Sequence, residues 1–177
     1  AERRGRPPLR WGEQGTRRGE HADDGREENR TRARGGRETA NVTAKPDHDA
    51  FIDQLERDLN AVDALLGDLS VAVPSCPGWD LGRLAGHLGR IHRMALAVLE
   101  TGSMVPAPPD QLEKPPSDPD ALRAYFSTSA KRLVEVLQDT PEFLACWTFL
   151  GGPDEAAFWS RRMAHEHAVH RVDAQLA

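Results

Sequence analysis

Residues 80–102 read DLGRLAGHLGRIHRMALAVLETG, and they admit one regular conformation, an α-helix over about residues 81–101. Asp80 is a good N-cap, since its carboxylate can accept from the free N–H groups of the first turn. No proline interrupts the run, and Gly102 supplies a natural stop. At ~100° per residue, Leu81, Leu84, Leu88, Ile91, Ala95, Val98 and Leu99 form a single apolar arc. His87 falls inside that arc, beside Ile91 and Met94, while His92 lies at its other side. A histidine among core positions needs a polar partner, because an unpaired buried donor is costly.

Reading outward, the same period recurs. Asp47 or Asp49 can cap a helix whose apolar positions are Phe51, Ile52, Leu55, Leu59, Val62, Leu65, Leu66 and Leu69. The segment VAVPSCPGW, residues 71–79, is a turn-rich connection. Residues 102–119 contain six prolines and read as an exposed loop. Asp118 or Asp120 opens a third helix to about Gln138, which Thr140-Pro141 breaks. FLACWTFLGGP is a short apolar segment ending in a turn, and Asp154 is the cap expected for a fourth helix running to the end of the chain. No strand pattern is convincing. The fold class is all-α, a four-helix bundle.

The last helix supplies partners for His87. Trp159, Met163, Glu166, His170 and Asp173 fall within roughly a quarter turn of its wheel. Glu166 and His170 are four residues apart and can share one ion. His165 points elsewhere, and His167 is a weaker alternative ligand on the far side of His170. HEHAVH is not the H-E-x-x-H of metalloproteases, because Val169 stands where the second histidine would be. Two histidines and a glutamate from facing helices make a divalent-metal site with an open position. They suit Zn²⁺ without excluding Ni²⁺, Fe²⁺ or Mn²⁺. Such Glu–His pairs on helices are nevertheless more often exposed polar pairs. Arg83 and Arg90 lie just outside the His87 arc and can take a carboxylate of substrate or cofactor. Arg162, one turn before Glu166, can pair with it or receive an anionic substrate. Solvated arginine is the commoner outcome for Arg83 and Arg90. Cys76 reads as a packed turn residue, Cys146 and the nearby aromatics as core.

Composition divides the chain. Residues 1–45 hold eight apolar residues and a net charge of +4, whereas residues 46–177 carry −9 within a total of −5. The first stretch cannot bury enough surface to offset its ordering entropy and is expected to be a disordered basic tail. Eight acidic residues interrupt its arginines, so a nucleic-acid role is not favoured. No apolar run approaches the ~20 residues of a membrane span. The N-terminus lacks the apolar stretch of a secretory signal, and two cysteines do not form a disulfide framework. A cytoplasmic protein is expected.

Two segments together resemble a known family. One is Val73-Pro74-Ser75-Cys76-Pro77-Gly78-Trp79-Asp80 followed by Leu84-Ala85-Gly86-His87-Leu88. The other is Phe158-Trp159, Arg161-Arg162, His165-Glu166 and Val169-His170-Arg171-Val172-Asp173-Ala174. They are similar to the mycothiol-dependent maleylpyruvate isomerase family, whose N-terminal domain is a DinB-like four-helix bundle. The resemblance covers roughly residues 47–177. It implies zinc on His87, Glu166 and His170, the three residues that the wheels select. It further implies mycothiol as a thiol cosubstrate and a small electrophilic substrate, in an isomerase or thiol transferase. Members usually continue into a smaller C-terminal domain that has no counterpart after Ala177, so the alternative is a non-catalytic metal-binding or interaction bundle that needs that domain. No catalytic residue is assigned.

Overall fold

The computed structural model describes residues 47–149 and 153–177; the expectations for the tail, residues 1–45, lie outside the described residues. Four helices follow one another: α1 (His48–Leu65), α2 (Leu81–Leu99), α3 (Pro119–Asp139) and α4 (Ala156–Gln175). Three begin as their sequences direct. Asp47 accepts from the Ala50 amide at 2.9 Å, Asp80 from Arg83 at 2.7 Å and Asp118 from Ala121 at 2.8 Å. Pro119 takes the first turn of α3, where its missing N–H costs nothing.

The fourth helix begins differently. Its N-cap is Glu155, which makes no side-chain cap bond. Asp154 instead accepts from the Thr148 hydroxyl at 2.7 Å. Residues 142–144 remove the need for a cap: the Ala156 amide donates to the Leu144 carbonyl at 2.9 Å and Ala157 to Glu142 at 2.8 Å. The α2 helix also stops slightly early, at Leu99, and Gly102 then adopts a φ of 60°. Among the described residues no strand forms, only isolated bridges between Ala72 and Asp80 and between Ala145 and Glu155.

In the bundle α1 packs on α4 and α3, and α2 packs on α3 and α4. Leu55, Val62, Leu84, Leu88, Phe126, Leu133, Leu137, Trp159 and Met163 are fully buried between them, each worth about 1.5–3 kcal/mol of apolar burial. Gly89 lets α3 approach α2 closely, because a Cβ there would sit 2.5 Å from the Tyr125 ring. The Arg93 guanidinium also packs on that ring, 3.4 Å from its centroid.

This close approach corrects the wheel of α2. Gly86 and Gly89 are buried, although neither adds an apolar signal to the sequence. The true buried arc therefore centres on His92, which is fully enclosed, and His87 lies at its edge with a third of its side chain exposed. On α4, His167 is enclosed while His170 lies at the rim.

Candidate metal centre

The two enclosed histidines bind each other. His92 Nε2 lies 2.8 Å from His167 Nε2. His167 Nδ1 donates to the Met163 carbonyl at 2.8 Å, so its Nε2 must accept the His92 proton. His92 Nδ1 then accepts from the Ser129 hydroxyl at 2.9 Å. Every ring nitrogen is satisfied with both rings neutral. Burial drives both in that direction, lowering His92 well below the ordinary range and His167 to about 4. The pair is a core fastening that joins α2, α3 and α4. The wheels missed it because histidine is not read as an apolar residue.

The two rim histidines meet Glu166. His87 Nε2 is 3.1 Å and His170 Nε2 3.5 Å from the same Glu166 Oε1. The three side chains offer ligand atoms that all lie within 4.8 Å of one another. Arg162 pairs with the other carboxylate oxygen, Oε2. Hydrogen bonds from His170 and then His87, aided by Arg162, hold the Glu166 carboxyl far below the usual carboxylate range despite its burial.

The 71–80 turn supports this cluster from outside. The Val73 amide donates to Trp79 O at 3.0 Å, and the Trp79 amide donates to Cys76 O at 2.9 Å. Gly78 takes a φ of 79°, a left-handed conformation that glycine adopts without strain. The turn lays the Trp79 indole against both rim imidazoles, 5.1 Å from His87 and nearly parallel to His170 at 6.1 Å. The turn also places Ser75 2.6 Å from Asp173 Oδ1, and Asp173 Oδ2 receives His170 Nδ1–H at 2.8 Å. Burial pushes the Asp173 carboxyl up, but the Ser75 and His170 hydrogen bonds outweigh it and leave it below its ordinary value.

These contacts set the direction of His170. With Nδ1 donating to Asp173, a neutral His170 ring would turn its Nε2 lone pair toward an ionised Glu166 oxygen. Two acceptors that face each other at 3.5 Å need a cation between them. A proton on His170 satisfies this, and Glu166, followed by Asp173, indeed raises the His170 pKa. A divalent metal satisfies it as well and would use the His87 lone pair too, so the donor set fits such an ion.

The remaining site residues separate. Arg83 and Arg90 line the same open cleft as His87, a space of about 660 Å³ that Trp79, Pro115 and Leu122 also border. Arg83 lies 5.3 Å from the Trp79 ring centroid, and Arg90 donates to the Pro109 carbonyl at 2.7 Å. Arg162 is engaged by Glu166 and lies 5.7 Å from the Phe149 ring centroid. His165 packs edge-on to Phe51, away from the cluster. Cys76 joins His170 and Asp173 in a second close group. Burial, then Asp173, pushes its thiol up, which suits a packed thiol rather than a reactive thiolate. Cys146 is fully enclosed in the core.

Among the described residues no helix is long and apolar enough to cross a membrane. Neither curated proteins nor solved structures give a significant match to the chain. The family model described as the mycothiol maleylpyruvate isomerase N-terminal domain matches residues 48–175, a span that holds all four helices and every member of the rim cluster. The chain therefore belongs to the mycothiol maleylpyruvate isomerase N-terminal domain family.

Proposed function

We propose that His87, Glu166 and His170 hold a divalent cation, zinc being the ion this donor set suits best, in a protein that brings a mycothiol-type thiol to a small electrophile. The observation that carries this reading is the convergence of two imidazole nitrogens on one ionised carboxylate oxygen at the rim of the bundle, where a cosubstrate can reach them. When bound, the cation supplies the positive charge that brings a thiol's pKa down to neutral pH. The chain's own groups do the rest. Asp173 orients His170, and Trp79 shields both imidazoles. Arg83 and Arg90 face the cleft and bind carboxylates of an entering molecule. Isomerisation and thiol transfer both belong to this reading, and a reducing cytoplasm fits its two free cysteines.

Metal analysis of the purified chain tests it. About one divalent ion per chain is expected, lost in His87→Ala, Glu166→Ala and His170→Ala. Retention of the ion in all three ends the assignment. Turnover of maleylpyruvate with mycothiol then tests the chemistry separately.

A second reading rests on the 3.1 Å contact between His87 and Glu166, which is itself a good hydrogen bond. In a purely structural bundle that bond needs no metal, and a chelator leaves the melting temperature unchanged. A bound ion at a hundred times its Kd would instead contribute about 2.7 kcal/mol, lost on chelation.

A further inference from the structure

His87 borders two spaces, not one. On the far side of Arg90 from the 660 Å³ cleft lies a second chamber of about 620 Å³. Ile91 and Met94 of α2 form one wall, Pro106, Pro108 and Leu112 of the proline-rich connection another, and Trp147 contributes its indole. Apart from His87 and Arg90, every side chain facing this chamber is apolar.

Arg90 stands on the boundary and lines both spaces. Its Nη2 is tied to the Pro109 carbonyl at 2.7 Å, which fixes the guanidinium between them. It is half-buried, and no ion pair joins it to a carboxylate among the described residues. Arg93, one turn further along the same helix, is by contrast paired with Glu113 at 2.7 Å. A half-buried guanidinium with donors to spare attracts an anionic group, because a partly desolvated cation gains from a charge-assisted partner.

We propose that the second chamber is the subsite for the electrophile, a small organic anion with an apolar body. Its charged end rests on Arg90 and its body lies among Met94, Leu112 and Trp147, which brings the molecule beside His87. The polar thiol cosubstrate is left the other cleft, where Arg83, Asp80, Ser70 and Ser117 offer polar contacts. This assignment rests on the reading of His87, Glu166 and His170 as a metal centre only for the identity of the occupant as substrate. The chamber and its preference are properties of α2 and the loop over it.

Anilinonaphthalene sulfonate has the required form, a flat apolar body with one anionic group. Its neutral analogue, phenylnaphthylamine, lacks only the charge. Titrated into the full chain, with folding checked by circular dichroism, the sulfonate should saturate at one equivalent. Arg90→Gln should weaken it by about tenfold or more, the worth of one charge-assisted hydrogen bond, and should leave the neutral analogue unaffected. Met94→Trp should crowd the wall on which the apolar body lies and weaken both probes, whereas Arg83→Gln should weaken neither. Equal loss in Arg83→Gln and Arg90→Gln would place the probe in the other cleft and overturn the proposal. So would binding by Met94→Trp as tight as in the unaltered chain, an Arg90→Gln variant that binds both probes normally, or no saturable binding at all. Metal content, measured on the same samples, reports the fate of the metal reading independently.

Discussion

His170 Nδ1 lies 2.8 Å from Asp173 Oδ2, and the other oxygen of that carboxylate is held 2.6 Å from Ser75 Oγ. A turn before α2 thus reaches through one carboxylate to orient a side chain on α4. Asp173→Asn keeps the shape but allows the amide N–H₂ to face the ring, which favours the wrong tautomer. Metal affinity should fall by about 10–100-fold, the usual effect of losing such an orienting partner. Ser75→Ala should have a smaller effect in the same direction. Competition against a chromophoric chelator measures both, and an unchanged affinity in Asp173→Asn would show that the carboxylate orients nothing.

The His92–His167 pair makes the bundle acid-sensitive. Burial depresses both pKa values, so the unfolded chain takes up protons that the native core refuses. The contribution is present above about pH 6.5, the unfolded value. It declines as the pH falls toward about 4, where His167 titrates in the folded state. The slope approaches about 1.4 kcal/mol per pH unit for each histidine. In the metal-free protein His170 acts in the opposite sense, because its raised pKa gives stability that is full below about pH 6.5 and lost as pH rises through the folded value. Urea titrations across this range should show the acid-side slope in the unaltered chain. A His92→Gln, His167→Gln double variant that keeps the slope would assign it elsewhere.

Arg171 and Asp58 join α4 to α1 at 2.7 Å, with unequal burial: Asp58 is 3% exposed and Arg171 30%. Removing the arginine strands a buried carboxylate with only the Gln54 amide at 3.0 Å for support. Arg171→Met should therefore cost about 3–5 kcal/mol. Asp58→Asn should cost less, because the freed guanidinium can turn to water. Equal losses in chemical denaturation would contradict this ordering.

Gly89→Ala tests the contact between α2 and α3. The new methyl would meet the Tyr125 ring at 2.5 Å, and that ring is pinned by its hydroxyl to the Glu113 carbonyl at 2.8 Å and by Arg93 above it. A loss of about 1–3 kcal/mol is expected from overpacking. Gly67→Ala, with nothing within 4 Å of the added carbon, should lose none of this and serves as the control.

Much of this molecule is legible residue by residue. Asp47, Asp80 and Asp118 cap their helices as their positions suggest, since a cap is a local hydrogen bond within one turn. Asp154 does not, because the first amides of α4 are taken by Leu144 and Glu142, partners that α4 does not itself contain. His87, Glu166 and His170 could be grouped from helical phase alone, and the structure brings them together. Asp173 shares the phase of His170 on α4 and could be grouped with it, whereas Trp79 and Ser75 needed the path of the turn, which periodicity does not describe.

The sequence by itself determined four helices, their order, and three ligand-type residues on two faces. Helix period and capping are short-range effects, so they survive without knowledge of neighbours. Only the tertiary structure decided which histidines lie in the core and which at the rim. Buried glycines at 86 and 89 let α3 close over one flank of α2, turning His92 inward and leaving His87 at the edge. A glycine carries no side chain to announce that its flank is covered; the neighbouring helix reveals it by where it packs.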